Sequence, residues 1–187
     1  MIAYDLIGQT PLVLLESFSD ENVKIYAKLE QFNPGGSIKD RLGKYLIEKA
    51  IDEGRLKEGD TIVEATAGNT GIGLAIASNR HKIKCIIFAP EGFAEEKISI
   101  MKALGADVRR TPKVEGMTGA QQEALAYATR YGYLYMNQFE TKDNPGAYTQ
   151  TLAKQLTDEL SHIDYFVAGV GSGGTFTGVA QHLKTYD

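Results

Sequence analysis

Three observations predict an α/β fold built on doubly wound, mainly parallel sheets. Short apolar runs alternate with segments of 10–15 residues that have helical periodicity, which is the rhythm of strand–helix–strand units. Glycine gathers where two of those runs end. The bulk composition, 43% apolar and 24% charged over 187 residues, is that of an ordinary soluble domain. A chain of this length buries about 70% of the surface it would expose unfolded, so it needs no disulfide or metal staple. Disorder, collagen and coiled coil are excluded as global descriptions. A net charge of −4 gives no electrostatic reason to seek nucleic acid or an anionic membrane. No apolar run approaches a bilayer-spanning length, and the first residues lack a signal peptide's basic and apolar regions. A cytoplasmic protein is expected.

The elements follow in order. A helix is expected after residue 37, with Ile38, Leu42, Tyr45, Leu46 and Ala50 on one face. Ser37 suits its N-cap, and Asp40 three residues on resembles a capping box. Residues 61–64 read as a short buried strand, followed by a glycine-rich turn and a helix over 71–80. Residues 85–89 form the next strand, stopped by Pro90, and a helix over 94–104 ends at Gly105 as a C-cap. A strand over 107–110, a helix over 118–131 closed by Gly132, and a short strand over 133–136 come next. A helix over 147–160 has Pro145 near its first turn. Residues 165–168 read as a strand entering the last glycine cluster, with a helix to about residue 184.

Of the 20 glycines, ten fall in three windows, 35–36, 68–73 and 169–178, so the backbone there is brought close to something. In the first, Asn33-Pro34-Gly35-Gly36-Ser37-Ile38-Lys39-Asp40-Arg41, Lys39 lies in the first helical turn. The positive end of the helix dipole disfavours an ammonium there, which poises the amine for a Schiff base; a first-turn lysine can also be merely solvated. In the second, Glu64 is followed by no charged group. The free N–H groups of 66–71 with the hydroxyls of Thr66 and Thr70 form a nest for a carboxylate or phosphate. Asn69 adds a neutral amide there. A tight turn, with Gly73 packing the helix on the sheet, is the plain alternative.

The third window, Gly169-Val170-Gly171-Ser172-Gly173-Gly174-Thr175, follows the expected strand and opens a helix, a suitable cup for a phosphate monoester. Gly169, Gly171 and Gly174 also satisfy the dinucleotide spacing, so an NAD(P)-binding oxidoreductase domain stays open. No lysine stands in P-loop position. His81, His162 and His182 have no metal-ligand spacing, so no metal is expected, and Cys85 reads as core.

A poised amine, an anion nest with an amide and a phosphate cup together suit pyridoxal phosphate. Six segments in order, 7–13, 33–41, 66–73, 116–120, 137–139 and 171–175, resemble the cysteine synthase / cystathionine β-synthase family of fold type II pyridoxal-phosphate enzymes. The resemblance implies that Lys39 carries the cofactor and removes the substrate α-proton, and that Asn69 bonds the ring oxygen. It implies a phosphate site at Gly171, Ser172, Gly173, Gly174 and Thr175. Thr66, Gly68, Asn69, Thr70 and Gln138 would surround the substrate α-carboxylate. The implied reaction is β-replacement on O-acetylserine, by sulfide to give cysteine or by homocysteine to give cystathionine, in a homodimer. A non-catalytic truncated paralogue is the contrasting expectation. Residues 38–145 would form a smaller domain, and 1–37 with 146–187 part of a larger one. Ala67 stands where the family commonly has serine. The family's catalytic unit continues past this length to a Ser/Thr at the pyridine nitrogen, so the second domain is expected to be incomplete.

Overall fold

A computed structural model describes residues 2–186. Its centre is a four-stranded parallel sheet of β3 (Thr61–Ala65), β4 (Lys84–Pro90), β5 (Asp107–Thr111) and β6 (Leu134–Tyr135), in the order β5-β4-β3-β6. A small antiparallel pair precedes it, β1 (Leu12–Leu14) with β2 (Tyr26–Lys28). The helices are α1 (Lys39–Asp52), α2 (Asn69–Arg80), α3 (Glu95–Ala103), α4 (Gly116–Tyr131), α5 (Asp143–Tyr148), α6 (Lys154–Glu159) and α7 (Gly174–Tyr186).

The sheet is buried on both faces because its strands supply two alternating apolar sets. Ile62, Cys85 and Ile87 point into a cluster with α1, α2 and the α5 region. Val63, Ala65, Ile86 and Phe88 point the other way, onto Ala120, Ala124 and Ala128 of α4. That is the period-2 geometry of a strand, expressed twice over. Successive strands step outward from β3 to β5, and the chain then returns to place β6 on the free side of β3. The strand order therefore reverses between β3 and β6, the place where α/β sheets bind ligands.

Several expected boundaries shift, each for a local reason. Helix α2 begins at Asn69, two residues earlier than its apolar pattern, because Gly68 is the extended cap residue. Helix α1 begins at Lys39, so Ser37 sits one residue outside the cap; its hydroxyl accepts the Lys39 N–H at 3.2 Å. Asp40 makes no capping box and instead accepts the Gly35 N–H. The expected helix over 147–160 starts at Asp143, with Pro145 in its first turn, and passes through a π-helical turn over Thr149–Ala153. The β1–β2 hairpin had no periodic signal in three-residue strands.

The expected strand over 165–168 does not form. Those residues are extended, but Tyr165 and Val167 are each 90% exposed, and no backbone hydrogen bond reaches 161–172 among the described residues. A ladder needs a neighbouring strand, and none lies there. No helix among the described residues is long and apolar enough to cross a membrane.

Candidate active site

The first two glycine windows meet because α1 and α2 cross at glycine. A Cβ on Gly43 would fall on the Gly73 backbone, and a Cβ on Gly73 would fall on the Lys39 carbonyl. Gly73 therefore packs its helix against the lysine-bearing helix, whereas the plain alternative had it packing on the sheet. Backbone contact at this crossing sets the Lys39 turn over the first turn of α2. The loop before Lys39 is tied down on both sides. Asn33 accepts the Gly8 N–H at 2.7 Å and donates to Glu30, while the buried Asp40 carboxylate holds Gly35. Burial pushes the Asp40 carboxyl up to about 6. Arg41, 2% exposed, pairs with Glu30 and bonds the Gly8 carbonyl, joining the loop to the amino-terminal segment.

Lys39 is half-buried, and burial lowers the pKa of its ammonium. Its Nζ donates to the Tyr148 hydroxyl at 3.3 Å. That phenol is wholly buried, which pushes it up to about 12, and the Thr175 side chain beside it acts against that rise. One tyrosine thus spans from the amine to the third window.

The second window is less open than the sequence suggested. Thr66 Oγ1 accepts the Gly68 N–H at 3.2 Å, and Thr70 Oγ1 donates to Gln138 Oε1 at 2.6 Å. Gly71 N–H is taken by Gly68. The N–H groups of Ala67, Asn69 and Thr70 have no protein partner among the described residues, so the nest survives in reduced form. Asn69 is the half-buried first residue of α2. Ala67 is buried in the apolar cluster. The Thr70–Gln138 bond crosses the point where the strand order reverses.

Beneath this nest Glu64 is 0% exposed, and its carboxylate accepts the N–H groups of Ala65 at 2.7 Å and Gln138 at 3.0 Å. Burial pushes it up to about 7 against the pull of those two bonds. Asn144, 2% exposed, donates to the Gln138 carbonyl at 2.6 Å and to Ser172 Oγ at 3.0 Å. Sequence reasoning assigned no role to Glu64, Asn144 or Tyr148. An asparagine and a tyrosine four residues apart near a proline were the only available signal.

Glycines of the third window divide by what surrounds them. A Cβ on Gly174 would strike Asn144, and one on Gly178 would strike the Pro145 carbonyl, so this pair seats α7 on α5. Gly169, Gly171 and Gly173 face open space, as does Gly68 of the second window. The open glycines form a cradle at the amino terminus of α7, where backbone N–H groups suit an anion. The side chains of Ser172 and Thr175 flank it, and the described residues of the cup carry no acidic group that would repel one. An amine and an anion cradle bridged by one phenol fit a group bearing both an aldehyde and a phosphate.

Residues 3–187 match the family described as pyridoxal-phosphate dependent enzyme. The chain belongs to that family. It is 50% identical over 183 residues to the O-acetylserine dependent cystathionine β-synthase of Bacillus subtilis, covering 96% of this chain and 60% of that protein. It is 48% identical to the cysteine synthase of one Helicobacter pylori strain, with the same coverage of each. Among solved structures, the O-acetylserine dependent cystathionine β-synthase of Helicobacter pylori superposes with a TM-score of 0.93 at 46% identity. That superposition covers 100% of this chain and 63% of that one. The family fold is thus the fold type II arrangement anticipated above, present here in part. The chain spans about 60% of the length of the curated relatives it matches.

Elsewhere the structure offers less. Among the described residues no group of His, Cys, Asp and Glu is arranged to hold a metal ion. Cys85 is buried in the sheet, which pushes its thiol up to about 12 and leaves it unsuited to act as a nucleophile.

Proposed function

We propose that this chain carries the cofactor-bearing amine, phosphate cup and carboxylate nest of a pyridoxal-phosphate-dependent β-replacement enzyme of sulfur amino-acid metabolism. The observation that carries this reading is the convergence of Lys39 and the open cup on Tyr148. Lys39 holds the cofactor, Asn69 faces its ring oxygen, and Gly171, Ser172, Gly173, Gly174 and Thr175 take its phosphate. When bound, pyridoxal phosphate supplies a ring that takes up the charge left at Cα as its proton departs.

The remaining work falls to this chain's residues. Burial and the helix dipole both favour a neutral Lys39 amine, the form able to accept that proton. Thr66, Gly68, Asn69, Thr70 and Gln138 hold the substrate carboxylate, which fixes the Cα–H bond beside the amine. In the overall reaction O-acetylserine loses acetate and a sulfur nucleophile takes its place on the β-carbon. Sulfide would give cysteine, and homocysteine would give cystathionine. The second product stays in the proposal because a relative named for that reaction is 50% identical. Within this reading residues 38–145 form the lobe with the lysine and asparagine loops, and 1–37 with 146–187 belong to the second lobe. The protein works as a cytoplasmic homodimer.

The test has two stages. Adding pyridoxal phosphate to the wild-type protein is expected to give a visible absorption band that Lys39→Ala lacks. O-acetylserine is then supplied with sulfide or with homocysteine, and the product is identified by mass spectrometry. Wild type and Lys39→Ala that remain equally colourless would sink the proposal. Saturable NAD(P) binding, kept in Lys39→Ala and lost in Gly171→Val, would favour the dinucleotide alternative.

A further inference from the structure

Helix α5 presents Asn144 and Tyr148 four residues apart on one face. Asn144 reaches the nest through the Gln138 carbonyl and the cup through Ser172. Tyr148 reaches Lys39 and Thr175. A single short helix therefore touches the first and third windows directly and reaches the second through Gln138.

The Tyr148 contact is chemically directed. A hydroxyl offers one proton and two lone pairs. Lys39 Nζ donates to the phenol oxygen at 3.3 Å. The ring is 0% exposed, so the hydroxyl cannot turn to solvent instead. The charged groups that act on the phenol are Glu30, from the turn after β2, and Arg41 of α1, and they pair with each other at 2.8 Å. From α7 the facing polar group is Thr175. Burial lowers the pKa of the Lys39 ammonium, and the Tyr148 hydroxyl accepts from its Nζ.

We propose that Tyr148 is a positioning residue that sets where the Lys39 amine stands and how readily it releases its proton. The inference rests on the reading of Lys39 as the reactive amine of the site. An acceptor placed on an ammonium stabilises the charged form, so Tyr148 opposes the effect of burial and keeps the lysine switchable between its two states.

The experiment uses the cofactor-free protein. Competitive acetylation with acetic anhydride, followed peptide by peptide in the mass spectrometer, gives the pH midpoint for each lysine amine. In Tyr148→Phe the ring and its packing stay, and the ammonium loses its acceptor. The Lys39 midpoint is expected to fall by about 0.5–1 pH unit, the worth of one net hydrogen bond, while the other lysines stay put. Thr175→Val, which removes the hydroxyl beside the phenol, is expected to shift the midpoint the same way by less. Should Tyr148→Phe fail to fold, Thr175→Val decides. A Lys39 midpoint that moves no more than those of the other lysines overturns the proposal. A shifted midpoint in a protein that stays colourless with pyridoxal phosphate upholds Tyr148 and sinks the proposed function. A visible band with an unshifted midpoint does the reverse.

Discussion

The two halves of the candidate site are built in opposite ways. The Lys39 amine and the Thr66–Gln138 nest stand on a closed core. All five residues of β3 are buried between parallel neighbours, and the lysine loop is clamped by Asp40, Asn33 and Glu30. The cup is reached through twelve residues, 161–172, to which no backbone hydrogen bond is made among the described residues. What places the cup is α7, seated on α5 by Gly174 and Gly178 and by the Asn144–Ser172 bond. Precision on one side comes from a sheet, and on the other from a single helix contact. The relatives are longer by a share of chain that this sequence does not contain.

The widest gap should appear in hydrogen exchange. Amides of β3 and β4 open only when the whole domain does, whereas those of 161–172 have no backbone bond to break. Protection should differ by about four orders of magnitude or more, given ordinary domain stability. Mass-spectrometric exchange at neutral pH measures it. Protection of 165–170 comparable to that of 85–89 would abolish the contrast.

The same substitution made on each side should sharpen it further. Gly73→Ala puts a methyl group onto the Lys39 carbonyl at the α1–α2 crossing, where neither backbone can yield without parting the helices. A loss of about 3 kcal/mol in urea unfolding is expected. At Gly171 a Cβ meets nothing within 4 Å. Gly171→Ala should stay within about 0.5 kcal/mol of wild type, while weakening anion binding in the cup. Equal losses at the two positions would mean that the cup is as tightly packed as the helix crossing.

The contrast also explains what could be read from the sequence. Strands β3 and β4 were legible because burial on both faces concentrates apolar and β-branched residues in a short run, and the helix caps at Gly105 and Gly132 followed from glycine chemistry. Glycine density and helix starts, which are local features, singled out Lys39, Asn69 and 171–175 as candidates, and the family resemblance supplied the roles proposed for them. The run at 165–168 looks like a strand by composition, and it is extended; a ladder depends on a partner, which no local pattern encodes. Asn144 and Tyr148 were invisible for a related reason. Nothing in Asp143–Tyr148 states which loops its face will meet, since that depends on where α7 docks. Ser37 failed as a cap by a single position, because Ile38 already holds helical backbone angles.

A further expected effect concerns pH, and it belongs wholly to the sheet side, since 169–178 holds no titratable side chain. Glu64 has an ordinary value of 4.5 and is pushed up to about 7 by burial in the folded protein. Below about 4.5 the carboxyl is protonated in both folded and unfolded chains, and its contribution to stability is complete. As pH rises toward 7 the unfolded chain ionises first, so stability falls across that window and levels off above it. The drop should be about 3 kcal/mol by the size of the shift. Asp40, raised to about 6 by the same cause, adds a slope of the same sign. Glu64→Gln removes one contribution and leaves the other, so its stability should fall less steeply between pH 4.5 and 7 than that of wild type. Urea titrations at half-unit intervals compare the slopes. Identical slopes would mean that Glu64 remains ionised against its burial, held by the Ala65 and Gln138 N–H groups alone. The nest above it would then rest on a buried carboxylate charge instead of a neutral acid.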